Sequence, residues 1–275
     1  MDNKTKEQGQ MLDCHADASN DEKVHHILSL SGGKDSTALA FFMKENNPEI
    51  FEQIELVFCD TEVDLPETYD YLNKIEVFLN KEILRIKPKQ SFEHFFTIYG
   101  ILPSAMKRWC TIEMKTKTFQ KYLKDKLAKD SDVRIYIGIR ADEASRVNNS
   151  HDTEKLKQIY PFVDNSIIKS DVEKILLKNG IGLPDYYNWR SRSGCFFCFF
   201  QKKIEWIGLL ENHPTLFKKA LQYEQIGADK RGKSFTWCQD MSLSELKKES
   251  TINKIKKSNT KEKIEIDKSL FHNLL

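Results

Sequence analysis

Six residues, Ser31-Gly32-Gly33-Lys34-Asp35-Ser36, constrain this chain more than any others. They follow a strand-like run, Val24–Leu30, and lead into Ser36–Lys44, which reads as a helix. A strand, a tight glycine turn and a helix start make a phosphate cradle. The first N–H groups of a helix lack intrahelical partners, and the helix dipole favours an anion there. Two adjacent glycines let the backbone approach a phosphate and permit positive φ. Lys34 adds a mobile positive charge, and Ser31 and Ser36 add hydroxyl donors. The spacing excludes a Walker A loop, which needs four residues between its first glycine and Gly-Lys-Ser/Thr. It also excludes a G-x-G-x-x-G dinucleotide fingerprint. The plain alternative is a glycine turn that only connects strand to helix.

The segments that follow keep the same alternation. Ile54–Cys59 reads as a buried strand ending in Asp60-Thr61-Glu62, and Leu65–Leu79 as a helix with Pro66 in its first turn. Glu82–Ile86 reads as a strand, Thr111–Leu127 as a helix, and Val133–Ile139 as a strand running into Arg140. This order predicts an α/β fold, a doubly wound parallel sheet, with ligands at the carboxyl ends of the strands. The loop at 31–36, Asp60-Thr61-Glu62 and Gly138-Ile139-Arg140 all fall at such ends. Beyond them come a helix near Lys169–Lys178, a glycine- and cysteine-containing turn at Arg190–Cys198, and two amphipathic helices over Gln201–Leu210 and Pro214–Gly227. The expected division is a disordered leader (1–22), a nucleotide-binding α/β domain (23–165), a small α-helical cysteine-containing region (166–245) and a basic tail or helix (246–275).

A chain of 275 residues can bury a full core, and its net charge of +2 points to no particular partner. No stretch approaches the roughly 18 apolar residues of a membrane span. Met1 to Glu22 lacks an apolar signal core, so the expectation is a cytoplasmic protein without a membrane partner. Six cysteines in a reducing compartment argue for metal binding or chemistry rather than a disulfide framework. Cys195-Phe196-Phe197-Cys198 places two thiolates where they can share one metal, with Gly194 permitting the turn before them. Zinc is a rival to an iron–sulfur cluster there. Cys14 and Cys59 read as buried free cysteines.

Four ordered blocks carry a family resemblance. Ser31–Ser36 resembles the PP-loop of the N-type ATP pyrophosphatases, in which the loop holds the β- and γ-phosphates while the α-phosphate is attacked. Phe58-Cys59-Asp60-Thr61-Glu62, followed by Leu65-Pro66-Glu67-Thr68, resembles the D-T-(G/E)…P-E-T block of the phosphoadenosine phosphosulfate (PAPS) reductase family. Gly138-Ile139-Arg140-Ala141-Asp142-Glu143-Ala144-Ser145-Arg146 resembles its G-x-R-x-x-E-x-x-R block. Tyr160-Pro161-Phe162-Val163-Asp164 resembles its Y-P block, with Asn165 in place of Trp. The resemblance covers about residues 24–200. It implies the adenine nucleotide alpha hydrolase-like (HUP) fold and the use of ATP with Mg²⁺. Ser31, Gly32, Gly33, Lys34, Asp35, Ser36, Asp60, Arg140, Glu143 and Arg146 would bind the nucleotide, and Lys34, Asp35 and Arg140 would act in catalysis. Arg140 paired with Asp142 on the surface, and Asp60 capping a turn, are the plain alternatives.

Iron–sulfur members of the family carry a cysteine pair and then a distant C-x-x-C. In Lys107-Arg108-Trp109-Cys110-Thr111 the first of the pair is Trp109, which leaves Cys110, Cys195 and Cys198 as implied ligands of a [4Fe–4S] cluster, or of Zn²⁺. Cys238 is a candidate fourth ligand with no motif match. The family's E-C-G-(L/I)-H reductase motif is absent from this sequence. The Arg-Trp-Cys-Thr block resembles the DNA phosphorothioation and thiolation members. The leading expectation is therefore an ATP pyrophosphatase or adenylyltransferase-type sulfurtransferase that activates an acceptor, DNA or tRNA, for sulfur insertion. Its sulfur donor would be a partner such as a cysteine desulfurase. Arg190, Arg192, Lys202 and Lys203 are candidate contacts to a phosphate backbone. The alternatives are a divergent PAPS reductase using Cys238, and a nucleotide-sensing subunit of a homo-oligomer or larger assembly.

Overall fold

Strands β1 (Val24–Leu30) and β2 (Ile54–Cys59) carry apolar side chains on both faces, as strands buried on both sides must. In β1, Leu28 and Leu30 point into one core while Ile27 points into another. In β2, Leu56 and Phe58 oppose Val57 in the same way. A computed structural model describes residues 24–127, 131–229, 235–238 and 240–272 of the chain. Cys14 and the expected leader lie outside the described residues.

In chain order the elements are β1, α1 (Lys34–Asn46), α2 (Pro48–Gln53), β2, α3 (Pro66–Leu79), β3 (Ile83–Ile86) and α4 (Phe92–Tyr99). A helical run follows: α5 (Trp109–Thr111), a π-turn at Ile112–Thr116 and α6 (Lys117–Leu127). Then come β4 (Asp132–Tyr136), β5 (Leu156–Ile159), α7 (Pro161–Asp164), α8 (Lys169–Lys178), α9 (Lys203–Asn212), α10 (Pro214–Asp229), α11 (Leu243–Leu246) and α12 (Glu249–His272). The five strands form one parallel sheet in the order β3-β2-β1-β4-β5. The fold is a doubly wound α/β sheet with a helical C-terminal region, as the sequence predicts. Strand order reverses between β1 and β4, and ligands of such sheets bind at the crevice where this happens.

Three cores hold the molecule. The first packs α1, α3 and α8 on one sheet face. The second sheet face is covered by α6 through Leu123, Phe119 and Tyr122. Val172 and Leu176 of α8 belong to the first core, so the segment from 166 to Ile181 packs with the α/β domain rather than with the cysteine-containing region that the sequence joins it to. The third core is aromatic and lies beyond the strand ends. It joins α4, Trp109, Phe196, Phe197, Trp206 and Trp237. Phe197 stacks against Trp237 at 5.2 Å and lies 4.2 Å from Phe92.

Several elements differ from the sequence reading. The aromatic run at 92–99 is helix α4, started by Ser91, whose hydroxyl accepts the N–H of His94. Strand β5 has only four residues with Lys157 and Gln158 inside it, too short and polar to show a period. Strand β4 ends at Tyr136, which frees Gly138-Ile139-Arg140 as a loop. The basic end forms helix α12 over Glu249–His272. No helix among the described residues is long and apolar enough to cross a membrane.

Glu93 ties α4 to α10. Burial raises its carboxyl pKa, but hydrogen bonds from Lys219 and Tyr223 outweigh burial and hold it at about 2. A carboxylate with a depressed folded pKa adds stability above its unfolded value and loses it as pH falls. Glu93→Gln is therefore expected to lower stability at pH 7 by about 1 kcal/mol, allowing for solvent screening of a half-exposed group. The gap to the parent should close between about pH 4.5 and pH 2, read from urea unfolding across that range.

Candidate functional site

The phosphate-loop sequence folds as its residue types require. Gly32 sits at φ 67°, in the left-handed region, and a Cβ there would meet Thr68 Cγ2 at 2.5 Å. Gly33 is extended and caps α1. The helix starts at Lys34, two residues earlier than the sequence reading, so Lys34, Asp35 and Ser36 form its first turn at the switch-point crevice. The loop braces itself: Ser36 Oγ accepts the Ser31 N–H at 3.0 Å and lies 3.1 Å from Ser31 Oγ. Thr37 Oγ1 donates to the Gly33 carbonyl at 2.8 Å.

Charged groups from two strand ends meet over this turn. Lys34 Nζ contacts Asp35 Oδ1 at 2.6 Å, and Arg140 Nη1 contacts the same oxygen at 2.8 Å. Arg140 also pairs with Asp142 at 2.9 Å and Glu143 at 3.3 Å, and Glu143 pairs in turn with Arg146 at 2.8 Å. Burial opposes the Arg140 charge, but hydrogen bonds to Asp142 and Asp35 raise its pKa, so it stays cationic. The approach of the two loops is backbone-close. A Cβ on Gly138 would lie 3.0 Å from the Asp35 carbonyl oxygen. Lys34, Asp35, Arg140, Glu143 and Arg146 thus form one network, and the Arg140–Asp142 pair is part of that site rather than an isolated surface bridge.

Asp60 stands apart from this network. Its Oδ1 accepts the Glu62 N–H and the Tyr69 hydroxyl, each at 2.9 Å, and Lys87 faces Oδ2 at 3.8 Å. It shapes the turn at the end of β2, where Glu62 adopts φ 60°.

Cys110, Cys195 and Cys198 gather around a cavity of about 180 Å³. That is below the ~300–1,000 Å³ of ordinary small-molecule pockets, so it suits a reacting group rather than a whole nucleotide. Cys110, Cys195, Cys198, Lys115, Arg108 and Arg192 line it. The turn carrying Cys195 is pinned to the end of β2: Asp64 bridges to Cys195, and the Phe196 N–H donates to the Val63 carbonyl at 2.9 Å. Arg190, only 2% exposed, donates to the Gly194 and Cys195 carbonyls at 3.0 and 2.9 Å. It holds the cysteine turn and is closed to a phosphate backbone, which corrects the sequence reading. Lys203 pairs with Asp240 at 2.7 Å.

The thiols differ in character. A hydrogen bond from Cys195 lowers the Cys198 pKa below the ordinary range, helped by Arg192, and the same contact with burial raises Cys195. Burial raises Cys110. Cys59 is pushed up to about 11 by burial, and its thiol donates to the Met114 carbonyl in the π-turn at 3.4 Å. Cys238 lies in the aromatic core, 7% exposed and pushed up to about 12 by burial, and does not line the cavity. The donors around the cavity fit a thiol-bound group in kind. In position they fall short: among the described residues no three His, Cys, Asp or Glu side chains could hold a metal ion as they stand.

Three residues that sequence reasoning missed connect the cysteine segment to the phosphate loop. Tyr186 donates to the Gly32 carbonyl at 2.7 Å, and the Lys34 N–H donates to Tyr187 Oη at 3.3 Å. Ser193 Oγ lies 3.4 Å from Ser31 Oγ, and a Cβ on Gly33 would meet it at 2.7 Å. The strand of chain leading into the cysteines therefore lies on the phosphate loop. Nothing local marks these residues, because their partners are more than 150 positions away.

The sequence profile of the phosphoadenosine phosphosulfate reductase domain matches residues 25–196, more than half of the chain. The chain belongs to the PAPS reductase domain family. Two proteins of Methanocaldococcus jannaschii, uncharacterized proteins MJ0973 and MJ0066, are 25% and 26% identical over 194 and 199 residues, each over 70% of this chain. The alignments cover 45% and 40% of those proteins, so the chain spans less than half of their length. Among solved structures, a PAPS reductase from Candida auris in a phosphate complex aligns with a TM-score of 0.48 at 17% identity, over 63% of this chain and 81% of that one. The U34-tRNA thiolase NcsA of Methanococcus maripaludis, with its [4Fe-4S] cluster, aligns with a TM-score of 0.40 at 15% identity, over 82% and 79%.

The PAPS reductase-type loop gives a direct test of its geometry. Gly32→Ala forces a side chain into the left-handed region and against Thr68. It should cost about 1–3 kcal/mol in denaturant unfolding; unchanged stability would contradict the loop conformation.

Proposed function

We propose that this protein is an ATP pyrophosphatase of sulfur metabolism that activates an acceptor oxygen for replacement by sulfur. The observation that carries the reading is the contact between the phosphate loop and the segment that leads into the cysteine cavity. The Lys34–Asp35–Arg140 network lies at the switch point, and Ser193 and Tyr187 lead from it to Cys195 and Cys198 within a few residues. In this reading Ser31–Ser36 bind the β- and γ-phosphates. Lys34 and Arg140 stabilise charge that develops as the acceptor oxygen attacks the α-phosphorus and pyrophosphate leaves. Asp35, now between the two cations, turns toward the Mg²⁺ that accompanies ATP. Glu143 and Arg146 hold Arg140 in place, and Asp60 shapes the neighbouring turn. A sulfide-level sulfur from an external donor then displaces AMP, with the new bond to sulfur replacing the bond to oxygen.

Cys110, Cys195 and Cys198 face the site of that second step. A [4Fe–4S] cluster, or Zn²⁺ as the alternative, would require the three side chains to draw together. The burial of Cys238 away from the cavity weighs against its use as the nucleophile of a divergent PAPS reductase. Lys34→Ala and Arg140→Ala should each slow ATP-dependent pyrophosphate release by about 100-fold or more. The assay uses the full chain with ATP, Mg²⁺ and DNA or tRNA. Nucleotide binding without any pyrophosphate release would favour the nucleotide-sensing subunit instead.

A further inference from the structure

Phe200 follows the cysteine turn and is 40% exposed at the mouth of the cavity. Two guanidinium groups approach this one ring: Arg192 at 5.0 Å from its centroid and Arg108 at 5.5 Å. The three side chains come from two separate segments, the run before α5 and the cysteine turn, and all three line the cavity that holds Cys110, Cys195 and Cys198. Neither arginine pairs with a carboxylate among the described residues, whereas Arg85, Arg134, Arg140 and Arg146 all do. Two uncompensated cations on an exposed ring are costly in isolation, because the guanidinium groups repel one another. They suit a ligand that brings negative charge and a flat face together.

We infer that Arg108, Phe200 and Arg192 form a docking rim for a nucleic-acid strand, with a phosphodiester on the guanidinium groups and an unpaired base stacked at Phe200. The rim deepens the reading of the cysteine cavity as the sulfur-insertion site, and it rests on that reading. A fork-shaped guanidinium matches a phosphate in two-point contact. A base can take the place of one guanidinium against the ring, or stack on the guanidinium plane, which frees charge for the phosphate. The rim stands at the cavity mouth, so a strand held there presents its backbone to the thiols. Lys107 and Lys202 flank the rim in sequence and extend its positive charge.

The test uses the full chain and fluorescein-labelled 12-residue single strands of DNA and of RNA, with binding read by fluorescence anisotropy at several salt concentrations. Arg108→Gln and Arg192→Gln should each weaken binding about tenfold and reduce the slope of log K against log salt by about 1. Phe200→Ala should weaken binding of the base-bearing strand by about fivefold or more and leave an abasic strand of equal length unaffected. All three residues are exposed, so the variants should keep the parent's thermal midpoint, which controls for misfolding. Binding unaffected by the arginine changes overturns the inference, as does equal loss for the base-bearing and abasic strands in Phe200→Ala. Absence of strand binding, with only adenosine 3′,5′-bisphosphate captured in an arginine-dependent way, also overturns it and points to a small sulfonucleotide. Pyrophosphate release separates the two claims. If release fails while rim-dependent strand binding holds, the proposed reaction falls and the rim stands. If release holds while the rim variants bind normally, only the rim falls.

Discussion

The ion pair between Arg140 and Asp35 organises the rest of the site. It joins the ends of β1 and β4, two strands adjacent in the sheet but 105 residues apart in the chain. The Arg140 side chain is only 9% exposed, so its charge must be met inside the protein. Asp35, Asp142 and Glu143 meet it from three directions, which makes the position of the guanidinium overdetermined. Gly138 permits this by letting the two loops touch backbone to backbone. The crevice is thereby built with its positive groups already in place beside the first turn of α1.

A second set of constraints positions the cysteines. The turn at 190–198 has no regular structure to hold it, so its backbone groups are satisfied one by one. Arg190 takes the Gly194 and Cys195 carbonyls, Val63 takes the Phe196 N–H, and Glu205 accepts the Ser191 N–H and hydroxyl at 2.8 and 2.6 Å. The aromatic core behind the turn supplies rigidity through Phe196 and Phe197. Because Tyr186 and Tyr187 precede the same turn and bond to the phosphate loop, the loop and the cysteine cavity share one structural segment. This is the physical basis for reading them as halves of a single reaction.

Much of the fold is legible in the amino-acid sequence. Strands β1 and β2 alternate apolar residues between two buried faces, and α8 spans the run that the sequence assigns to a helix. The phosphate loop is legible because its chemistry is local: glycine for φ, lysine for charge, serine for donors. The edge strand β5 is not, since four mixed residues carry no period. Arg190 reads in sequence as an available cation beside the cysteines. Only its burial shows that it serves the backbone. Cys110 is matched by a motif and Cys238 is a candidate without one, and the structure places Cys238 in the aromatic core away from the cavity that Cys110 lines.

By itself the sequence determined the elements, the parallel α/β class and the identity of the groups at the strand ends, because these follow from short-range periodicity and from residue chemistry. The tertiary structure decided which of those groups meet. It set Arg140 against Asp35 and left Asp60 to shape its own turn. It laid Tyr187 and Ser193 on the phosphate loop, and it gathered Arg108 and Arg192 at one phenylalanine. Apart from Arg192 and Phe200, which are close in sequence, such pairings join residues from 92 to more than 150 positions apart in the chain. They depend on strand order and on how the aromatic core seats the cysteine turn, which no local pattern encodes.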